Sequence, residues 1–548
     1  MPWLKFSLSL WLMAESLGLR LFAPAPPEPP VIAAEQPATA SPEAAKAEAA
    51  KAIAGAALLQ AVEQSLVDAI AGAEKSVVAI ARQRKLRATS RDAAGRELPK
   101  RPAGDDGDEA ADVIGERTPD DPDFVPHEYG TGVVIDRAGL IVTNYHVIGD
   151  PQLNRVWVWV QRKPYLAEVK AADPWLDLAV LRIDAQGLEP IKLGHARALK
   201  RGQIVISLGN PHAIARDGQP SASWGIIANL SRKAPRPKRD SRDATRDDEP
   251  DHAAVGRAGA NSARQAAMGE TVHQFGTLIQ TDCRLQLGYS GGALINLQGE
   301  MVGLTTSLAA LEGDDAAAGF AIPVDDLFQR TLESLKAGRK VDYGFLGIAP
   351  ESLVLPERQQ GRTGIRVAQI VPGTPAARSN LKLDDIVKEI GGVAVVEPAD
   401  LIRELSKSPA DAQVTLTVER RSGKQTATIP VTIQLSKKYL DGQPEPYGTV
   451  PAPTWRGLTI EHTTATPQFA NRSTDTGSSE AVAIVHVAPE SPAWRAGLRP
   501  GDWISHVANQ PVRRPSDFFQ LVERLTDSVT VRKTTGPPDQ REKVIEDR

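Results

Sequence analysis

Between residue 130 and about residue 323 the apolar positions come in short β-branched runs: GVVIDRAGLIVTNYHVI, RVWVWV, DLAVLRI, QIVISLG, WGIIANL, GTLIQTD, ALINL, EMVGLTT and GFAIP. Turn residues separate them, and no long helical period intervenes before VDDLFQRTLESL. Many short strands with Gly and Pro punctuation predict an all-β barrel or sandwich. Ahead of this block, Leu58, Leu59, Val62, Leu66 and Ile70 recur at helical spacing. They predict a short amphipathic helix leading into a first strand at SVVAIA.

Polar stretches divide the chain. Residues 24–56 are rich in Ala, Pro and Glu and read as a linker. Residues 82–123 turn from basic to acidic with almost no apolar positions, and residues 231–268 carry dense mixed charge. Both read as exposed loops, the second as a surface insertion rather than a nucleic-acid patch, because acids are interleaved with the bases. Residues 1–23 open with Lys5, an apolar run from Phe6 to Ala14, and then small residues and prolines. The pattern predicts a secretory signal or a weak membrane anchor. Glu15 and Arg20 interrupt the run at about half of the ~20 apolar residues that a spanning helix needs.

The C-terminal part repeats itself. IRVAQIVPGTPAARSNLKLDDIVKEIGGVAV (365–395) aligns with AIVHVAPESPAWRAGLRPGDWISHVANQPV (483–512). Each runs strand, Pro-flanked small turn, short helix, Leu, turn with Asp, strand. Two similar domains of about ninety residues each follow from this, at 341–435 and 455–535, with 436–454 as a linker. The block before them, 57–338, is a third domain. Composition changes this picture little. A net charge of −4 argues for neither nucleic acid nor an anionic membrane surface, and the lone Cys283 forbids an internal disulfide.

Three residues of the β-rich block carry candidate chemistry. His146 stands in TNYHVIGD, Asp177 in PWLDLAVLRI and Ser290 in GYSGGAL. A serine hydroxyl is a weak nucleophile until an adjacent base, itself oriented by a third group, takes its proton. Each residue also has an ordinary reading: a core histidine, an aspartate that starts a strand, a serine in a glycine turn. Their order, His, Asp, Ser, matches the chymotrypsin-like arrangement and joins them in one mechanism. Gly288 permits a turn that aims two backbone N–H groups into one hole, where they stabilise a tetrahedral oxyanion.

TNYHVIGD, DLAVLRI, QTD, GYSGGAL, GEMVGLTT and GFAIPVD together resemble the HtrA/Deg family of PDZ-containing serine proteases. FLGI (345–348), WRGL (455–458) and AGLRPGD (496–502) resemble the family's PDZ signatures, so the likeness extends from about residue 57 to 535. It implies a mainly β molecule: a chymotrypsin-like double β-barrel protease domain followed by two PDZ domains. It also implies His146 as general base, Asp177 as its orienter and Ser290 as nucleophile, with the N–H groups of Gly288 and Ser290 as the oxyanion hole. The reaction would be peptide hydrolysis through an acyl-enzyme, without metal or cofactor. The substrates would be unfolded or misfolded proteins of the cell envelope. The assembly would be a homotrimer or a multiple of trimers. PDZ domains add a peptide as an extra strand and hold its C-terminal carboxylate on backbone N–H groups. By match, Phe345, Leu346, Gly347 and Ile348 would do this in the first copy, and Arg456, Gly457 and Leu458 in the second. The departures are Tyr289 for the usual Asn, CRLQ (283–286), Asp384 where Gly is usual, Pro350 after the carboxylate loop, and Arg456 for an apolar residue. The alternative reading is a binding protein on an idle protease fold.

Overall fold

A computed structural model describes residues 42–85, 118–121, 124–210, 219–234, 271–286, 288–306, 319–423, 425–440, 444–470, 480–534 and 537–547. The expected signal or anchor, and most of both charged segments, lie outside the described residues. A helix, Pro42–Ala73, precedes the first strand. It takes up residues 42–56, which composition assigns to the linker. Alanine has the highest helix propensity, so a segment reading PEAAKAEAAKAIAGAA propagates a helix once the last proline is passed. Ala69 and Ala73 are buried, with Leu66 and Ile70 packed beside them. Leu58 and Leu59 remain exposed. Among the described residues, no helix is long and apolar enough to cross a membrane.

Six strands form the first barrel: β1 (Val77–Arg84), β2 (Glu128–Val134), β3 (Leu140–Thr143), β4 (Asn154–Val160), β5 (Lys163–Asp173) and β6 (Leu178–Arg182). They pair in the order β5-β4-β1-β2-β3-β6, and β5 pairs with β6 to close the ring. The alternation in β4 sends Val156 and Val158 inward to Ile80, Ile141 and Leu181. After the short edge strand β7 (Lys192–Leu193) come β8 (Ile204–Gly209), β9 (Ser221–Arg232), β10 (Leu278–Thr281), β11 (Ala293–Ile295), β12 (Glu300–Thr306) and β13 (Gly319–Pro323). These close a second barrel in the order β11-β8-β9-β10-β13-β12, with β11 on β12. The charged segments start later than their composition suggests, because β1 runs to Arg84 and β9 to Arg232.

One apolar cluster spans both barrels. Val133, Val142 and Val180 come from the first, Leu208, Leu278, Ala293 and Leu304 from the second. Leu327, Phe328, Leu332 and Leu335, from the helix Asp326–Lys336, complete it. Asp325 caps that helix, its carboxylate accepting the N–H of Phe328 at 2.9 Å. A seam thus runs between the barrels, and loops from both meet along it.

Each C-terminal repeat folds as a sheet with one longer helix. The first has strands Ile348–Ser352, Ile365–Ile370, Ile386–Ile390, Gln413–Ser422 and Gln425–Gln434 in that order, and the helix Pro398–Ser406. The second centres on Leu458–His462, Val482–Val487, Trp503–Val507 and Val529–Lys533, with the helix Pro515–Val522. Its sheet continues past residue 535 to the strand Glu542–Ile545, which buries Ile545 beside Val529 and Val531. The stretch 436–454 is not a free linker. Ser436–Lys437 pairs with Gly344–Phe345, and Tyr447–Gly448 pairs with Ala172 and Ala171 of β5. Ladder pairing uses backbone groups alone, so a polar, Pro-rich composition does not betray it.

Candidate active site

His146 lies in a single helical turn, Tyr145–Ile148, just past β3. Asp177 lies in the turn between β5 and β6, with φ of 56°, an uncommon value for a residue with a side chain. Its carboxylate grips His146 twice. Oδ2 lies 2.8 Å from His146 Nδ1, and Oδ1 accepts the backbone N–H of His146 at 2.9 Å. The Asp177 carbonyl accepts from the Tyr145 N–H at 3.1 Å and from Asn144 Nδ2 at 3.1 Å. Asp177 is fully buried, while the His146 ring keeps 17% of its side chain exposed. With Nδ1–H donated to the carboxylate, Nε2 is the nitrogen left to take a proton. One residue earlier, the Tyr145 phenol is pushed up to about 12 by burial, and further by the charges of Asp150 and Asp177.

Ser290 comes from the second barrel and is fastened to the first by Thr131 of β2. The Thr131 N–H donates to the Ser290 carbonyl at 2.8 Å, and its Oγ1 donates to the Gly288 carbonyl at 2.7 Å. The same Oγ1 accepts from the Asn210 N–H at 2.9 Å. Thr143, three residues before His146, donates its hydroxyl to the Thr131 carbonyl at 2.7 Å. Gly291 permits this docking, because a Cβ there would overlap the Thr131 carbonyl and the Thr143 hydroxyl. The structure therefore places His146 and Asp177 in direct contact, with Ser290 docked on the strand pair that leads to them.

The candidate oxyanion segment, residues 288–290, is held from behind. The Tyr289 carbonyl accepts from Thr305 Oγ1 at 2.5 Å and from the Gly292 N–H at 2.9 Å. A trans peptide points its C=O and N–H in opposite directions, so the Ser290 N–H faces away from Thr305. Gly288 has φ of 95°, which a side chain would resist. Tyr289 does not crowd the cleft. Its ring turns into the second barrel, where a Cβ on Gly209 would lie 2.5 Å from it, and its hydroxyl donates to the Ser221 carbonyl at 3.3 Å. Burial pushes that phenol up.

Sequence reasoning missed Thr131, which no quoted motif contains, and gave no role to Thr143 in TNYHVIGD or to Thr305 in GEMVGLTT. It also missed His273, which is fully buried and lowered to about 4 by burial. His273 Nε2 lies 3.1 Å from the Leu176 carbonyl, and its Nδ1 lies 2.6 Å from Thr277 Oγ1. It therefore braces the residue before Asp177 as a neutral imidazole.

The two PDZ loops share one construction. In the first, the Ala376 N–H donates to Leu346 O at 2.9 Å and the Val371 N–H to Gly347 O at 2.9 Å. In the second, the Ala493 N–H donates to Arg456 O at 3.3 Å and the Ala488 N–H to Gly457 O at 2.8 Å. Gly347 lies against Thr374, and Gly457 against Ser491, so closely that a Cβ would overlap either. The strand Ile348–Ser352 is at a sheet edge, with Pro350 at a register shift where its missing N–H is tolerated. Phe345 pairs with Ser436, Leu346 is core, Ile348 packs on that core, and Leu458 is core in the second domain. Asp384, at the position filled by Gly501 in the second repeat, has φ of 63°. The Arg456 guanidinium is spent elsewhere. It donates to the carbonyls of Ile545 at 2.8 Å, Thr526 at 3.1 Å and Asp527 at 2.9 Å. The strand behind the second loop ends at His462, whose Nε2 lies 3.7 Å from Asp411 of the first PDZ domain.

Residues 130–304 match the family model of a trypsin-like peptidase domain, and 344–431 and 484–533 each match a PDZ domain. Barrels, seam and matches define a serine endopeptidase followed by two PDZ domains. The chain is 26% identical over 399 residues to the periplasmic serine endoprotease DegP of Salmonella typhimurium, covering 72% of this chain and 71% of that one. Against DegP of Escherichia coli K12 it is 25% identical over 399 residues, 72% of each chain. A solved HtrA-type protease, AlgW with decapeptide, aligns with a TM-score of 0.44 and 21% identity, covering 68% of this chain and 98% of that one. The chain thus carries a trypsin-like peptidase domain followed by two PDZ domains, and it is similar to the DegP serine endoproteases of the HtrA/Deg family.

Proposed function

We propose that the protein hydrolyses unfolded or misfolded proteins in the cell envelope, with His146, Asp177 and Ser290 as its catalytic triad. The observation that carries this is the double grip of Asp177 on His146, through Nδ1 and through the backbone N–H, which leaves Nε2 as the base. As Ser290 Oγ attacks the scissile carbonyl, His146 Nε2 takes its proton and later delivers it to the leaving amine. Asp177 stabilises the imidazolium formed in between. The N–H groups of Gly288 and Ser290 receive the oxyanion, each worth about 3 kcal/mol to the transition state. Water then repeats the steps on the acyl-enzyme.

The PDZ domains bind C-terminal or extended peptides. In the first, the edge of Ile348–Ser352 left unpaired among the described residues supports strand addition, with Gly347 beside the carboxylate. The protein acts as a trimer or a multiple of trimers. The test is degradation of a permanently unfolded protein by wild type and by Ser290→Ala. Cleavage by the wild type alone supports the reading. Equal cleavage by both sinks it.

A further inference from the structure

The turn that carries Asp177 is held from outside the barrels. It reads Asp173-Pro174-Trp175-Leu176-Asp177, and Asp173 is the last residue of β5. The Asp173 side chain is completely buried. Its Oδ2 accepts the Leu176 N–H at 3.0 Å and also the hydroxyl of Tyr343. Tyr343 lies 170 residues downstream, directly before the Gly344–Phe345 strand that begins the first PDZ domain. Its ring meets Trp175 edge-on at 6.2 Å, and the Arg330 guanidinium lies over that ring at 5.3 Å. Lys438, leaving the first PDZ domain, donates its N–H to the Tyr343 carbonyl at 2.7 Å and sets its ammonium 4.9 Å from the Trp175 ring. From the second barrel the Val272 N–H donates to the Trp175 carbonyl at 3.0 Å, and His273 meets the Leu176 carbonyl.

A buried carboxylate is costly to the fold unless its hydrogen bonds compensate. Burial pushes Asp173 up to about 6, opposed first by the Tyr343 bond. Packing alone would be served as well by an apolar pair at these two positions. What the polar pair adds is direction: the carboxylate fixes the Leu176 N–H, and the turn then delivers Asp177 in its left-handed conformation. We propose that Tyr343 is a positioning residue for catalysis, setting through Asp173 the turn that holds Asp177 against His146. This rests on the reading of His146, Asp177 and Ser290 as the triad.

The experiment uses the full chain with Tyr343→Phe, which keeps the ring and removes the hydroxyl. kcat and KM for a peptide substrate are measured across pH, with the rate of fluorophosphonate labelling of Ser290 and the melting temperature. The expected result is a kcat lower by about 10-fold with KM unchanged, a modest fraction of the ~10²-fold that a misplacement of about 1 Å can cost. The acid limb of the kcat/KM profile moves to lower pH, because a carboxylate held less firmly stabilises an imidazolium less. Labelling slows in proportion. Wild-type kcat and pH profile in Tyr343→Phe, whatever its melting temperature, overturn the proposal. Where Tyr343→Phe fails to fold, Asp173→Ala, which removes the acceptor of both the Tyr343 hydroxyl and the Leu176 N–H, must show the same loss of kcat, and wild-type kcat there overturns it equally. A wild-type protein that neither cleaves nor labels at Ser290 removes the triad reading itself, and the proposal with it.

Discussion

Acid should act on the protease domain through His273. This imidazole has no exposure, and burial lowers it from 6.5 to about 4 in the folded protein. The unfolded chain therefore binds a proton at higher pH than the folded one, and stability is lost as pH falls from 6.5 towards 4. A fall of about 2.5 pH units, at about 1.4 kcal/mol each, makes the full loss about 3–4 kcal/mol. Asp173 works in the opposite sense. Its carboxyl is raised from 3.8 to about 6, so the strain it imposes is present above pH 6 and relieved as pH falls through that window. The two nearly cancel, and the wild-type pH dependence alone reveals neither. His273→Gln exposes the first, because the amide can still donate to the Leu176 carbonyl and does not titrate. Calorimetry in a Ser290→Ala background, which removes the proposed nucleophile, should show the difference in Tm between variant and parent moving in the variant's favour between about pH 7.5 and pH 4.5. At roughly 2–4 °C per kcal/mol for a domain of this size, the movement is at least about 5 °C. A Tm difference that does not change with pH would refute the assignment of His273 as a buried neutral base.

Thr305→Val removes one of two donors to the Tyr289 carbonyl. It should lower kcat by about 10-fold with KM unchanged in peptide hydrolysis, short of the ~10²–10³-fold that loss of a whole oxyanion donor costs; an unchanged kcat would show that Gly292 alone orients that peptide plane. Arg456→Ala strips the carbonyls of Thr526, Asp527 and Ile545 of their shared donor. It should destabilise the second PDZ domain by about 2 kcal/mol, seen as faster hydrogen exchange in Glu542–Ile545 with peptidase activity intact; undisturbed exchange there would count against a structural role for the guanidinium.

Much of the architecture was legible because it is written locally. β-Branched runs with turn residues between them are a property of consecutive positions, and they became the strands of two closed barrels. The aligned repeats became two domains with equivalent loops, down to the tight Gly347–Thr374 and Gly457–Ser491 contacts. His146, Asp177 and Ser290 were marked as candidates by order and neighbouring motif, and the structure puts the first two in contact. The helix from Pro42 was equally local, and composition misread it: alanine-rich polar sequence suits a linker by its hydrophilicity and a helix by its propensity.

What only the tertiary structure decided was which distant groups meet. The Thr131 hydroxyl reaches the Gly288 carbonyl across 157 positions, and Tyr343 reaches Asp173 across 170. Tyr289 and Arg456 looked like intrusions on their loops, yet one ring found a seat on Gly209 and one guanidinium found the C-terminal strand. The segment 436–454 was bound by backbone pairing that leaves no trace in side-chain pattern. The physical reason is common to all of these. Periodicity and propensity act over a few residues and set the backbone's local course. A hydrogen bond between chain-distant groups depends instead on the packed geometry that both partners acquire only when the domains have folded.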